Sequence, residues 1–215
     1  MRKARVTVYT YDELNDQAKE KVRAWYREMQ GECGDYTREV SEFFKYELDE
    51  IGYPSDKCYW SLGHCQGDGM AFYGDIDRDA IAKIRNRVLP RTSRARSLTN
   101  TFLFNYVTFT ISDCNGHYNH HNSMSVNFEA NNISEKTYQL LIELRDAIQE
   151  DVKDLSRDLE RQGYDIIDSM DEDDNVDENI RANDQWEFHE DGELFDSVHE
   201  TEPTPEAAGQ LRLCG

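Results

Sequence analysis

One apolar stripe constrains this chain more than any other feature. From Tyr138, the residues Leu141, Leu144, Ile148, Val152, Leu155 and Leu159 recur at steps of three and four. That period sets side chains on one face of an α-helix. Ser134 and Thr137 supply hydroxyl-bearing residues for a helix start, and the pattern predicts a helix to about Gln162. A helix with one apolar face needs a second apolar layer to cover it. Immediately upstream, Thr101 to Ser112 is rich in β-branched and aromatic residues. Asp113-Cys114-Asn115-Gly116 then carries the positive-φ chemistry of a tight turn. The return strand is His117 to Ala130, where Met124, Val126 and Phe128 alternate with Ser125 and Asn127. A long β-hairpin is the expected partner layer.

Residues 4–10 alternate as a short strand. Asn15 or Asp16 can cap a helix to about Gln30, with Ala18, Val22, Trp25, Tyr26 and Met29 on one face. Tyr36 to Ile51 reads as a second helix with Val40, Phe43, Phe44, Leu48 and Ile51 inward, ended by Gly52-Tyr53-Pro54. Tyr59 to Leu62 and Met70 to Tyr73 flank a Gly-rich turn as strands. Asp77 starts a helix to Leu89, and another runs from Val176 to Asn183. Helices and hairpins interleave without a βαβ rhythm. The expected class is therefore α+β, antiparallel hairpins packed with amphipathic helices. The expected organisation is a single domain over residues 1–196, its acidic helical part at 165–196, and a mobile tail at 197–215.

Charge narrows the function classes. Acidic residues number 44 against 24 Lys and Arg, a net charge of −20. Residues 1–100 hold 17 of each sign, so the whole excess lies in the second half. Such a surface repels phosphate and disfavours direct nucleic-acid binding, while attracting basic protein surfaces. No apolar run approaches the roughly 18 residues of a membrane span. Met1-Arg2-Lys3-Ala4-Arg5 leads into Val6-Thr7-Val8-Tyr9 rather than an apolar signal core. The five cysteines include no C-x-x-C pair, so reduced thiols in a cytoplasmic protein are expected.

Two segments hold residues that can carry chemistry. In Trp60 to Gly74, Gly67 and Gly69 permit close backbone approach, while Ser61, Gln66 and Asp68 supply polar groups. The segment lacks G-x-G-x-x-G and a P-loop lysine, and a bulged hairpin is the better account of its glycines. In Cys114 to His121, Cys114, His117, His120 and His121 resemble a metal cluster. Strand alternation would send His120 and His121 to opposite faces, so no metal site is assigned. Cys65 beside His64 and Asp68, or Cys65 with His120, is a weak nucleophile arrangement. The basic run Lys83, Arg85, Arg87, Arg91, Arg94 and Arg96 can grip an anion or stand as a solvated face. Asp171-Glu172-Asp173-Asp174 lacks calcium-loop spacing. A candidate ligand pocket follows from Ser61, Gln66, Asp68, Tyr118, His120 and Ser123, with Arg residues of 83–96 on a phosphate. It predicts that the Gln66–Gly69 turn and His120 share one cleft, with Asp68 accepting a hydrogen bond from His120.

Several stretches together resemble a known family. They are Tyr11 to Arg23, Trp60 to Phe72 with Gln66-Gly67-Asp68-Gly69, Gly116 to Met124, and Glu178 to Asn183 through Glu190-Asp191-Gly192-Glu193. In this order they are similar to a family of bacteriophage and prophage acidic proteins labelled as antitoxins of toxin–antitoxin stability systems. Cys65 stands where a small residue such as Ser is expected, and His121 is additional. The resemblance implies a small phage-encoded protein made in the cytoplasm of a bacterial host, which binds and neutralises a host defence or toxin protein. Together with the charge, it implies a non-enzymatic inhibitor of a partner with a basic surface, possible nucleic-acid mimicry included. No catalytic residue, cofactor, metal, membrane or direct nucleic-acid partner is expected. The contact is placed at Asp171, Glu172, Asp173, Asp174, Glu187, Glu190 and Asp191, with Trp186 and Phe188 as buried anchors. The competing expectation is a pocket protein that binds or modifies a nucleotide-like molecule at the Gln66–Gly69 and Tyr118/His120 segments.

Overall fold

The apolar stripe is a helix, and it runs farther than its pattern predicts. A computed structural model describes residues 6–33, 35–114 and 118–195. In chain order its elements are α1 (Asp16–Cys33), α2 (Asp35–Ile51), β1 (Lys57–Ser61), β2 (Gly69–Asp75), α3 (Arg78–Val88), α4 (Asn100–Tyr106), β3 (Val107–Asp113), β4 (Met124–Ala130), α5 (Glu135–Asp171) and α6 (Asp173–Ala182). Short 3-10 turns lie at Tyr11–Glu13 and Arg94–Ser97. The class is α+β. Where the sequence draws one domain over 1–196, the described residues group into two compact units: a central one over 35–169, and a terminal one made of 6–33 with 170–195.

The central unit is an antiparallel sheet in the order β1-β2-β3-β4. Met70, Phe72, Phe109, Ile111 and Val126 are buried with Leu141, Leu144, Ile148, Val152 and Leu159 of α5, Val40, Phe44 and Leu48 of α2, and Ile81 and Ile84 of α3. Each such side chain contributes about 1.5–3 kcal/mol when fully buried. The expected helix end near Gln162 is passed because Gly163 serves packing. A Cβ there would lie 2.5 Å from Leu62 Cδ1 and 2.7 Å from Phe44 Cζ. Beyond it, Ile166 and Ile167 continue the apolar face. α5 also covers the edge of the sheet. The Val126 N–H donates to Gln149 Oε1 at 2.8 Å, and Gln149 Nε2 donates to the Met124 carbonyl at 3.1 Å. Those groups would otherwise template another strand.

β2 and β3 pair only at Gly74↔Ile111 and Asp75↔Thr110. Farther along β2, the Phe72 N–H donates to Met124 Sδ at 3.3 Å instead of to a strand. The segment 118–123 enters this gap, and it positions the candidate site.

Three expected elements differ. Thr101 to Ser112 is half helix: Thr99 Oγ1 accepts from the Phe102 N–H and starts α4, so capping and burial of Leu103 override β-propensity until Val107. The return strand begins at Met124 rather than His117, and residues 118–123 form a loop folded onto β2. Residues 115–117, the heart of the expected Asn-Gly turn, lie outside the described residues. Of the expected N-terminal strand, residues 4 and 5 lie outside the described residues, and the rest makes a single bridge, Tyr9↔Phe188.

In the terminal unit, Asn15 caps α1 by accepting from the Ala18 N–H at 3.0 Å. Tyr11, Leu14, Ala18, Val22 and Tyr26 pack with Val176, Ile180 and Phe188. Within this small core Asp177 accepts from Arg23 Nε at 2.6 Å, from a terminal nitrogen of Arg23 at 2.8 Å, and from the Tyr11 hydroxyl. The tail at 197–215 lies outside the described residues.

Candidate functional site

The glycines of Gln66-Gly67-Asp68-Gly69 have distinct tasks. A Cβ at Gly69 would lie 2.5 Å from His120 Cβ and 2.7 Å from the Asn119 carbonyl oxygen. One at Gly67 would sit 3.5 Å from Tyr118 Cε1. Gly69 thus makes room for His120, Gly67 lies at ordinary contact distance from the Tyr118 ring, and the two segments pack together, the proximity that the sequence predicts. The intervening Asp68 closes a turn, its N–H donating to the Cys65 carbonyl at 3.1 Å. Its carboxylate accepts from Ser61 Oγ at 3.1 Å, from the Gly63 and Cys65 N–H groups at 2.8 Å each, from Cys65 Sγ at 3.1 Å, and from the Tyr164 hydroxyl. The Tyr164 bond, foremost, holds Asp68 well below the usual carboxylate range, and the Cys65 and Gly63 donors add to it.

Asp68 therefore organises its own loop, and the expected bond from His120 is not made. Instead, the His120 N–H donates to Ser123 Oγ at 3.1 Å, Ser123 Oγ donates to the His120 carbonyl at 2.8 Å, and His120 Nδ1 accepts from the Asn122 N–H at 3.0 Å. Ser123 is buried and also meets the Tyr73 hydroxyl at 3.0 Å. The loop closes on itself because carboxylate and hydroxyl both find nearer backbone partners. Of the predicted pocket residues, Ser61, Asp68 and Ser123 are committed internally; Gln66, Tyr118 and the remaining nitrogen of His120 are the ones left to meet a ligand.

α5 contributes groups that sequence reasoning missed. Tyr164 lies tilted by 31° against His64 with ring centroids 4.6 Å apart, and burial, then Asp68, pushes its hydroxyl up to about 12. Burial and the charge of Asp68 raise the Glu160 carboxyl above its ordinary value, while His120 works against them. Burial, then the Arg157, His120 and Lys153 charges, lower the His121 imidazole. The only advance signal was an apolar period that continues past Gly163.

Other chemistries lose their geometry. His64 lies on Tyr164 while Cys65 Sγ faces Asp68, so the two form no nucleophile–base pair. Among the described residues, no group of three or more His, Cys, Asp or Glu side chains is arranged to hold a metal ion. Much of the basic run is spent on its own surroundings. Arg85 is buried and donates to the Leu98 carbonyl, Arg96 to the Asn86 and Leu89 carbonyls, and Lys83 to the Glu50 carbonyl. Arg87 pairs with Asp151 at 3.1 Å. A phosphate grip by these four is corrected to a structural role.

In the terminal unit, Phe188 is 1% exposed. It belongs to the core and offers no docking anchor. Trp186 is half-buried, edge-on to Trp25 at 5.2 Å and Tyr26 at 5.9 Å. Arg27 binds Asp173 at 2.6 Å and the Asp171 carbonyl at 2.7 Å; Lys21 meets Asp191 at 3.0 Å. Glu172, Asp174, Glu187 and Glu190 are exposed. Among the described residues, no helix is long and apolar enough to cross a membrane. Compared with known proteins, the chain matches no family model, no curated protein and no solved structure.

Proposed function

We propose that the protein works by binding rather than catalysis: a phage-encoded acidic inhibitor that neutralises a host defence or toxin protein through that partner's basic surface. The observation that carries this reading is the outer face of α5. Glu143, Asp146, Glu150, Asp154, Asp158, Asp165 and Asp168 are exposed there. Their spacing in threes and fours, with one step of seven, keeps them along one side of the helix. At 1.5 Å per residue they extend over about 38 Å. A negative ridge of that length has the form that a nucleic-acid backbone offers to a basic groove. Arg145, Lys153, Arg157 and Arg161 pair with four of these acids. Exposed pairs within a helix are worth only about 0.3–0.5 kcal/mol, so a partner's cations can replace them.

The test is affinity capture from bacterial host lysate with the full chain immobilised. Its comparison is a variant carrying Glu150→Gln, Asp154→Gln and Asp158→Gln, all at exposed positions. Basic proteins held by the wild type, released as salt rises, and lost from an equally stable variant support the reading. Equal recovery of the same proteins by both chains removes it.

A further inference from the structure

In the central unit Tyr118 is 55% exposed, with its ring edge beside Gly67. Its plane is 24° from that of His120, with centroids 6.4 Å apart. One flat ring in van der Waals contact with both would need about 7 Å, twice a normal contact distance. A small rotation of the exposed Tyr118 opens that space. His120 cannot swing as freely, since Ser123 and Asn122 hold both its backbone and its Nδ1. Because Nδ1 accepts a hydrogen bond from an N–H, the neutral ring carries its hydrogen on Nε2 and presents a donor. Gln66 is exposed next to Gly67. Its amide supplies one donor and one acceptor side by side, the combination that matches the edge of a heterocyclic base.

We propose that Tyr118 and His120, standing over Gly67 and Gly69 with the exposed Gln66 next in the chain, bind a flat heterocycle of the nucleobase class. One ring is fixed and one is movable. The ligand is held by stacking and recognised by polar contacts along its edge, with Asp68 excluded because its acceptor positions are filled. The site does not depend on the acidic face of α5.

Fluorescence anisotropy of N-methylanthraniloyl-labelled ATP and GTP with the full chain tests this, using adenosine, guanosine and inorganic triphosphate as competitors. Saturable binding that the nucleosides displace is expected. Loss of one stacking partner should weaken it at least about fivefold in Tyr118→Ala. His120→Ala should weaken it similarly, while Tyr118→Phe, which keeps the ring, should bind nearly as the wild type does. No saturable signal with either nucleotide, displacement by triphosphate alone, or wild-type affinity in Tyr118→Ala would each overturn the proposal. Exposure of Tyr118 makes the alanine variant foldable, and its melting curve verifies this.

Discussion

Each unit contains one carboxylate that several donors surround, yet the two do opposite work. Asp177 in the terminal unit is 8% exposed and joins Tyr11 and Arg23 to α6 across more than 150 residues of chain. Asp68 in the central unit gathers the amides of a turn only three to five residues away, plus one hydroxyl from α5. The difference follows from core size. The central unit buries a broad aliphatic and aromatic layer and can leave its polar knot at the surface. The terminal unit has a handful of core residues, and small cores need additional staples. A charge network closes it.

Removing the terminal staple is the strongest way to break this contrast. Asp177→Ala leaves the Arg23 guanidinium, whose side chain is only 16% exposed, without its main partner. Breaking such a pair costs about 3–5 kcal/mol. In a Trp60→Phe background, Trp25 and Trp186 are the remaining tryptophans of the three, and both report on the terminal unit. Their urea midpoint should fall sharply, and an unchanged midpoint would show that the apolar core alone suffices.

Acid should weaken the same staple more gently. Arg23, foremost, and then the Tyr11 hydroxyl lower the Asp177 carboxyl to about 2. A carboxylate depressed in the folded state stabilises it above the unfolded value near 3.9, and that contribution disappears as pH falls through the folded value. The terminal unit should therefore lose roughly 1–2 kcal/mol between about pH 4 and 2, after allowance for solvent screening. Asp177→Asn should flatten this dependence. An identical acid profile in that variant would assign the loss to other carboxylates.

Asp68→Ala should have the smallest global effect. The central core does not include Asp68, so the melting curve should stay close to that of the wild type. Locally, Cys65 loses the acceptor of its thiol and backbone N–H. Peptide-resolved alkylation of Cys65 should become several-fold faster, while the half-buried Cys58 remains slow because desolvation raises its thiol to about 11. An unchanged Cys65 rate would mean that Asp68 does not hold its turn.

Sequence patterns were most informative where one element determines its own form. The steps from Leu141 to Leu159 specify a helix face, Asn15 and Asp77 specify helix starts, and alternating Met124, Val126 and Phe128 specifies a strand. These signals are sums over near neighbours, so they survive without knowledge of the rest of the chain. Aromatic-rich 101–106 was misleading because the Thr99 cap and the burial of Leu103 outweighed intrinsic preference.

The polar residues divide differently. Their identities pointed to Gln66–Gly69 and His120 as one place, and the close packing of Gly69 on His120 agrees. Their partners could not be read in advance. Asp68 chose Tyr164, Asp177 chose Arg23 and Tyr11, and Phe188 entered a core instead of remaining available to a partner. A hydrogen bond is decided within a few tenths of an ångström, between segments whose separation depends on how every intervening element packs. Periodicity and charge were thus determined by the sequence itself. Which acids became staples, which remained an exposed ridge, and which ring was left open beside His120 were decided only by the tertiary structure.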